Sequence, residues 1–243
     1  MILMDRVAIV TGARMGIGRA LALGFAGEGA HIVINDIQNE DAAEEVISQI
    51  RNRGRKVLHV QGDVALEEDT RRIVSAALDA FGRIDILVNN AGLRTIAYLG
   101  VQNCPGLEME VKDWDRMIAV NLRGPFLMSK AVLPQMVKQK RGSIINISSG
   151  AGREGVPGKS AYCASKHGLE GFTKALAGEV KDFNVRVNAL APGGRVDTDG
   201  LGGLPIGVIV PAGIFLASDE SQGITGKSII AKDWNQERGI EVS

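Results

Sequence analysis

Val7-Ala8-Ile9-Val10-Thr11-Gly12-Ala13-Arg14-Met15-Gly16-Ile17-Gly18 decides the fold. Four apolar residues in a row suit a strand buried on both faces. The glycines that follow suit a tight turn into a helix beginning at about Arg19. Such a turn lets an anion approach the helix N-terminus, where free N–H groups and the helix dipole favour negative charge. Asp36 closes the next apolar run, 18 residues after Gly18. A carboxylate there is placed to bind a ribose 2′-hydroxyl. The pattern predicts a dinucleotide cradle built from Gly12, Arg14, Met15, Gly16, Ile17, Gly18 and Asp36.

Further strand-length apolar runs lie at 32–34, 57–60, 84–88, 144–147, 185–190 and 228–231. Between them, Ala42, Ala43, Val46, Ile47 and Ile50 form one helical stripe, and Ile73, Val74, Ala77, Leu78 and Phe81 another. Strand and helix alternate in this way when parallel strands are joined by helical crossovers. The expected fold is α/β: a doubly wound, seven-stranded parallel sheet with helices on both faces, in a single domain over 1–243.

Composition narrows the function. The 243 residues (25.8 kDa) carry 28 basic and 28 acidic side chains, with no net charge and a pI near 6.8. This balance argues against nucleic-acid and anionic-membrane partners, both of which select a basic face. No apolar run approaches the roughly 20 residues that span a bilayer. The opening Met1-Ile2-Leu3-Met4-Asp5-Arg6 lacks the layout of a signal peptide. Cys104 and Cys163 form no zinc pattern and at most one disulfide, which points to a reducing, cytoplasmic setting. His31, His59 and His167 are scattered, so no metal site is expected. Glycine, at 31 of 243 residues, is in excess and without a repeat, so it belongs at turns and close approaches.

The spacing of the turn, Gly-x-x-x-Gly-x-Gly, resembles that of the short-chain dehydrogenase/reductase family, and the resemblance continues to about Gly226. Asp63-Val64 and Asn89-Asn90-Ala91-Gly92 match family motifs at successive strand ends. The resemblance implies that Asp63 and Val64 border the adenine and that Asn90, Ala91 and Gly92 border the coenzyme. Taken alone, Asp63, Asn89 and Asn90 also read as turn formers. The carboxylate of Asp36 disfavours the 2′-phosphate of NADP, so NAD is the preferred coenzyme. Asn35 before Asp36 and Met15 before Gly16 agree, while Arg14 leans the other way.

Ser160-Ala161-Tyr162-Cys163-Ala164-Ser165-Lys166 opens a helix predicted over 160–180. A spacing of four puts Tyr162 and Lys166 on one face. A free phenol, with a pKa of about 10, is a poor proton shuttle near neutral pH. A fixed ammonium and the positive nicotinamide are expected to lower that value. Ser149, 13 residues before Tyr162, matches the serine of the family, whose hydroxyl holds the substrate oxygen. Ser148 competes for that place, and one of the two is structural. Asn121 matches the asparagine with which the family holds a water between lysine and solvent. The implied chemistry is hydride transfer between the nicotinamide and a small alcohol or ketone. Tyr162 exchanges the proton, Ser149 positions the oxygen, Lys166 holds the ribose, and Asn121 completes a proton wire.

Three features depart from the family. Ala191-Pro192-Gly193-Gly194-Arg195-Val196-Asp197-Thr198 resembles its Pro-Gly loop with one residue inserted, which assigns Pro192, Gly193 and Thr198 to the coenzyme. Relatives carry a longer substrate lid before Phe215; here 199–210 is short or incomplete, and 200–205 reads as a flexible tether. Either the lid is truncated and the site open, or residues are missing from the chain as read; an intact mass clearly above 25.8 kDa would show the latter. Lys232-Asp233-Trp234-Asn235 replaces the more usual Val-Asp-Gly-Gly, with Trp234 read first as a packing anchor.

Leu93, Arg94, Tyr98, Arg153, Glu154 and Val156 fall in loops near the expected pocket. Arg94 and Arg153 would suit an acidic substrate, although solvated loop charge is the simpler reading. The middle of the chain is similar both to β-ketoacyl carrier-protein reductases and to secondary-alcohol dehydrogenases. A coenzyme-binding scaffold without turnover is the remaining alternative, opposed by the intact Ser149, Tyr162 and Lys166. Ala164, Gly168, Gly171, Ala175 and Gly178 suit close helix packing, and the resemblance implies a homo-oligomer, a tetramer before a dimer.

Overall fold

The computed structural model describes residues 1–94, 104–198, 200 and 202–242. Its strands are β1 (Val7–Thr11), β2 (His31–Asp36), β3 (Val57–Gln61), β4 (Ile86–Asn89), β5 (Gly142–Ile147), β6 (Val185–Ala191) and β7 (Ser228–Ile230). They form one sheet in the order β3-β2-β1-β4-β5-β6-β7, and every neighbouring pair is parallel. The winding reverses between β1 and β4, and in such sheets ligands bind beyond the carboxyl ends of the strands at that reversal.

The α-helices among the described residues are α1 (Gly16–Gly27), α2 (Glu44–Asn52), α3 (Glu67–Phe81), α4 (Val111–Ile118), α5 (Gly124–Gln139), α6 (Ser160–Val180), α7 (Val210–Ala217) and α8 (Ala231–Glu237). Alternate strand positions feed two cores. Ala8, Val10, Ile32, Ile34 and Leu190 pack with Leu21 and Phe25 of α1, Ile47 of α2 and Leu216 of α7. On the other face Val7, Ile9, Val33, Leu87 and Val187 pack with Ile73 of α3, Val132 of α5 and Leu176 of α6. Each such side chain contributes roughly 1.5–3 kcal/mol on burial. Two covered faces explain why the strands read as unbroken apolar runs.

The structure differs from the sequence reading in four places. First, α1 begins at Gly16 rather than at about Arg19, because Gly12 and Gly16 adopt φ +64° and +56° and complete the turn within five residues. Second, Ala119–Arg123 form a π-helical bulge between α4 and α5. Third, the described part of 195–204 is not a free tether. Leu204 N–H donates to the Arg195 carbonyl and Asp197 N–H to that of Leu204, and Val196 pairs with Leu204. A Cβ at Gly203 would fall 2.5 Å from the Arg195 oxygen, so glycine makes the close approach possible. Fourth, Gly168 serves packing within the chain, since a Cβ there would meet Leu122 at 2.8 Å. Residues 199 and 201 of the short lid, and Tyr98, lie outside the described residues. Trp234 anchors α8 to α7, its ring 5.2 Å from that of Phe215 with the Arg238 guanidinium 4.2 Å above it.

Candidate active site

The glycine turn is braced from β4. Asn90 Nδ2 donates to the carbonyls of Thr11 (2.8 Å) and Gly12 (3.0 Å), and Thr11 Oγ1 accepts from the N–H groups of Asn90 and Ala91. A Cβ at Gly12 would lie 2.9 Å from Ala91 Cα, and one at Gly18 would collide with the Asn90 amide and the Gly12 carbonyl. The chain thus leaves a cradle that only glycines permit. No side chain caps the N-terminus of α1, which leaves its first N–H groups open to an anion. These features fit the diphosphate of a dinucleotide. Thr198 stands over the turn, its methyl 3.6 Å from where a Gly16 Cβ would sit.

Asp36 ends β2, where a ribose carboxylate belongs. Its Oδ1 accepts from Gln38 N–H (3.1 Å) and lies 3.8 Å from Arg14 Nε. Asp63 uses both oxygens within the protein: Oδ1 accepts from Ala65 N–H (2.9 Å), and Oδ2 pairs with Arg116 at 2.8 Å. The turn-forming role of Asp63 is therefore the one the geometry displays. Val64 beside it is buried against Gly124.

Ser149, Tyr162 and Lys166 line one cavity of about 590 Å³, together with Ile17, Asn90, Gly92, Pro192, Gly193 and Thr198 of the coenzyme side. Tyr162 lies near enough to Ser149 for the serine hydroxyl to act on its phenol. Lys166 Nζ donates to the Ile147 carbonyl (2.7 Å) and sits 5.8 Å from the centre of the Tyr162 ring. Ser148 is the structural serine of the pair, donating to the buried Glu170 at 2.6 Å. Asn121, seated by the π-bulge, clasps Leu93 by accepting from its N–H (2.7 Å) and donating to its carbonyl (2.8 Å). It also donates to Ser165 of α6 at 3.1 Å. This ties the loop after β4 to α6.

The electrostatics differ from expectation. Burial raises the Tyr162 phenol above its ordinary value; the nearby Ser149 hydroxyl and the charge of Arg94, not Lys166, pull it down. The reason lies in Lys166 itself. Burial pushes its ammonium from 10.5 to about 8, against the opposing pull of Glu170, and its Nζ is turned to a backbone carbonyl. Glu170 was not singled out from sequence. The signal was its place four residues after Lys166 and eight after Tyr162, which continues their stripe along α6.

A family model described as short chain dehydrogenase matches residues 6–204. The chain belongs to that family. A 3-oxoacyl-[acyl-carrier-protein] reductase of Synechocystis sp. is 41% identical over 220 residues, covering 90% of this chain and 86% of that protein. Among solved structures, a putative short-chain alcohol dehydrogenase from Sinorhizobium meliloti superposes with TM-score 0.88 at 32% identity, over 97% of this chain and 98% of the other. Carveol dehydrogenase from Mycobacterium avium, solved with NAD, gives 0.86 at 29% identity, over 94% and 96%. This short-chain dehydrogenase is accordingly an oxidoreductase of small molecules that uses a nicotinamide dinucleotide. Among the described residues, no three potential ligands cluster to hold a metal ion, and no helix is long and apolar enough to cross a membrane.

Proposed function

We propose that this short-chain dehydrogenase interconverts a secondary alcohol and its ketone with NAD, Tyr162 giving or taking the hydroxyl proton. The convergence of Ser149, Tyr162 and Lys166 on one cavity that reaches the glycine turn carries the reading. When bound, the nicotinamide supplies or accepts a hydride at its C4. Residues of the chain manage the oxygen and the proton. Ser149 hydrogen-bonds the substrate oxygen and holds it beside the phenol. Tyr162 passes its proton to the oxygen in reduction and recovers one in oxidation. Lys166, fixed by the Ile147 carbonyl, holds the ribose, and its pKa of about 8 lets it relay a proton near neutral pH. Asn121 holds the outer end of that relay and keeps Leu93 and Ser165 in place.

Asp36 supports NAD over NADP, since its carboxylate repels a 2′-phosphate, and Arg14 is already drawn to Asp36. Parallel assays with NADH and NADPH test this preference. A second reading, reduction of carrier-bound β-ketoacyl thioesters, takes its support from the Synechocystis relative and is tested with an acetoacetyl thioester. The two cysteines are buried and unpaired, as suits a reducing cytoplasm. We further assign the α5–α6 surface to contact between copies of the chain in a homo-oligomer. The mechanistic test is Tyr162→Phe, expected to lower kcat by about 10²–10⁴-fold while NADH affinity, read by fluorescence titration, stays near that of the wild type. Near-wild-type turnover in this variant would overturn the assignment.

A further inference from the structure

Beyond Ser149 and Tyr162, the cavity changes character. Its wall carries Arg94, Arg153, Lys159 and Arg195 with Glu154 and Asp233, set among apolar side chains that include Leu93, Val156, Val196 and Ile230. Such a lining suits a substrate that joins an apolar body to one charged group.

Arg153 is not a loosely solvated loop charge. Its Nη1 donates to Ser228 Oγ at 2.8 Å and lies 3.8 Å from Glu170 Oε1. Glu170, 6% exposed, accepts from both Ser148 (2.6 Å) and Ser228 (3.0 Å). A buried carboxylate on α6 and a serine on β7 thus fix the guanidinium at the cavity wall. Its Nε and Nη2 have no hydrogen-bond partner among the described residues. The single charge of Glu170 is shared with Lys166, one helical turn earlier, so it does not neutralise Arg153 alone. Arg94 comes from the opposite side, on the loop after β4, near enough for its charge to act on the phenol.

We propose that the substrate is a hydroxy acid or its oxo acid, with Arg153 as the residue that binds its carboxylate beside Ser149 and Tyr162, and Arg94 adding charge from the other side. This rests on the cavity being the alcohol and ketone site. Arg153 sets specificity and Glu170 positions Arg153. With NAD bound, oxidation would pass the carbinol hydride to the nicotinamide and the hydroxyl proton to the Tyr162 phenolate, whose earlier proton the Lys166 relay would have carried to solvent, leaving a C=O bond and an unchanged carboxylate.

The test uses 2-hydroxypentanoate, 3-hydroxypentanoate and 4-hydroxypentanoate, each beside its methyl ester, with NAD and NADP in parallel. At least one acid should exceed its ester in kcat/KM by about ten- to hundredfold, the worth of a charged hydrogen bond. Arg153→Met should collapse that ratio, chiefly through the KM of the acid. Esters that equal or exceed every acid would overturn the proposal. If nothing turns over, calorimetry of the enzyme–NADH complex with pentanoate and pentanamide decides. Tighter binding of pentanoate, lost in Arg153→Met, upholds the anion site and faults only the catalytic reading; equal binding overturns the proposal.

Discussion

Lys166 is held as an ammonium in surroundings that oppose its charge, and this has a signature outside catalysis. Its proton affinity falls from 10.5 in the open chain to about 8 in the fold. Below pH 8 both states are protonated and the penalty is constant. Between 8 and 10.5 the unfolded chain binds the extra proton, so stability rises with pH, by at most roughly 3 kcal/mol in total. Lys166→Met should remove this rise, read as the urea midpoint of each protein from pH 8 to 10. Equal slopes in the two proteins would contradict it. The window stops at 10 because Tyr162, raised in the fold, erodes stability above its ordinary value. Tyr162 and Lys166 were readable from a spacing of four, since both lie on one helix. Glu170 was not, because its partners Ser148 and Ser228 sit far off in the chain, and a carboxylate on an amphipathic helix reads as solvated until β5 and β7 are brought beneath it.

The turn between β1 and α1 and its brace from β4 behave as one unit. Gly18→Ala puts a methyl group into the Asn90 amide and the Gly12 carbonyl. It should weaken NADH binding by about tenfold or more and destabilise the fold by about 1–3 kcal/mol. Gly27→Ala is the control: it sits in the same helix with nothing within 4 Å of the added Cβ, and should stabilise by up to about 1 kcal/mol. If both variants bind NADH alike, the brace is not what shapes the cradle. Strands were readable because burial on two faces leaves unbroken apolar runs. The π-bulge that seats Asn121 and the pairing of Leu204 with Arg195 and Asp197 were not, since both depend on backbone contacts that no side-chain periodicity records.

Across the protein as a body, the surface formed by α5 and α6 is the one we propose for contact with a second copy. Phe126 is 46% exposed and meets Phe172 edge-on at 6.2 Å. A Cβ at Gly171 or Gly178 would touch nothing within 4 Å, so the helix surface there is open. Wild-type protein should scatter light as a multiple of 25.8 kDa, and Phe126→Asp should reduce it to a single chain. An unchanged mass would place the contact elsewhere or remove it. The sheet order has one more consequence. Thr11 and Asn90 are 79 positions apart, yet they meet because β4 slots in beside β1. A chain that ends before β4 has every glycine of the turn and lacks the Asn90 brace. The dinucleotide is therefore expected to act as a late lock rather than a template, gaining its full seat only once the middle of the sheet has zipped.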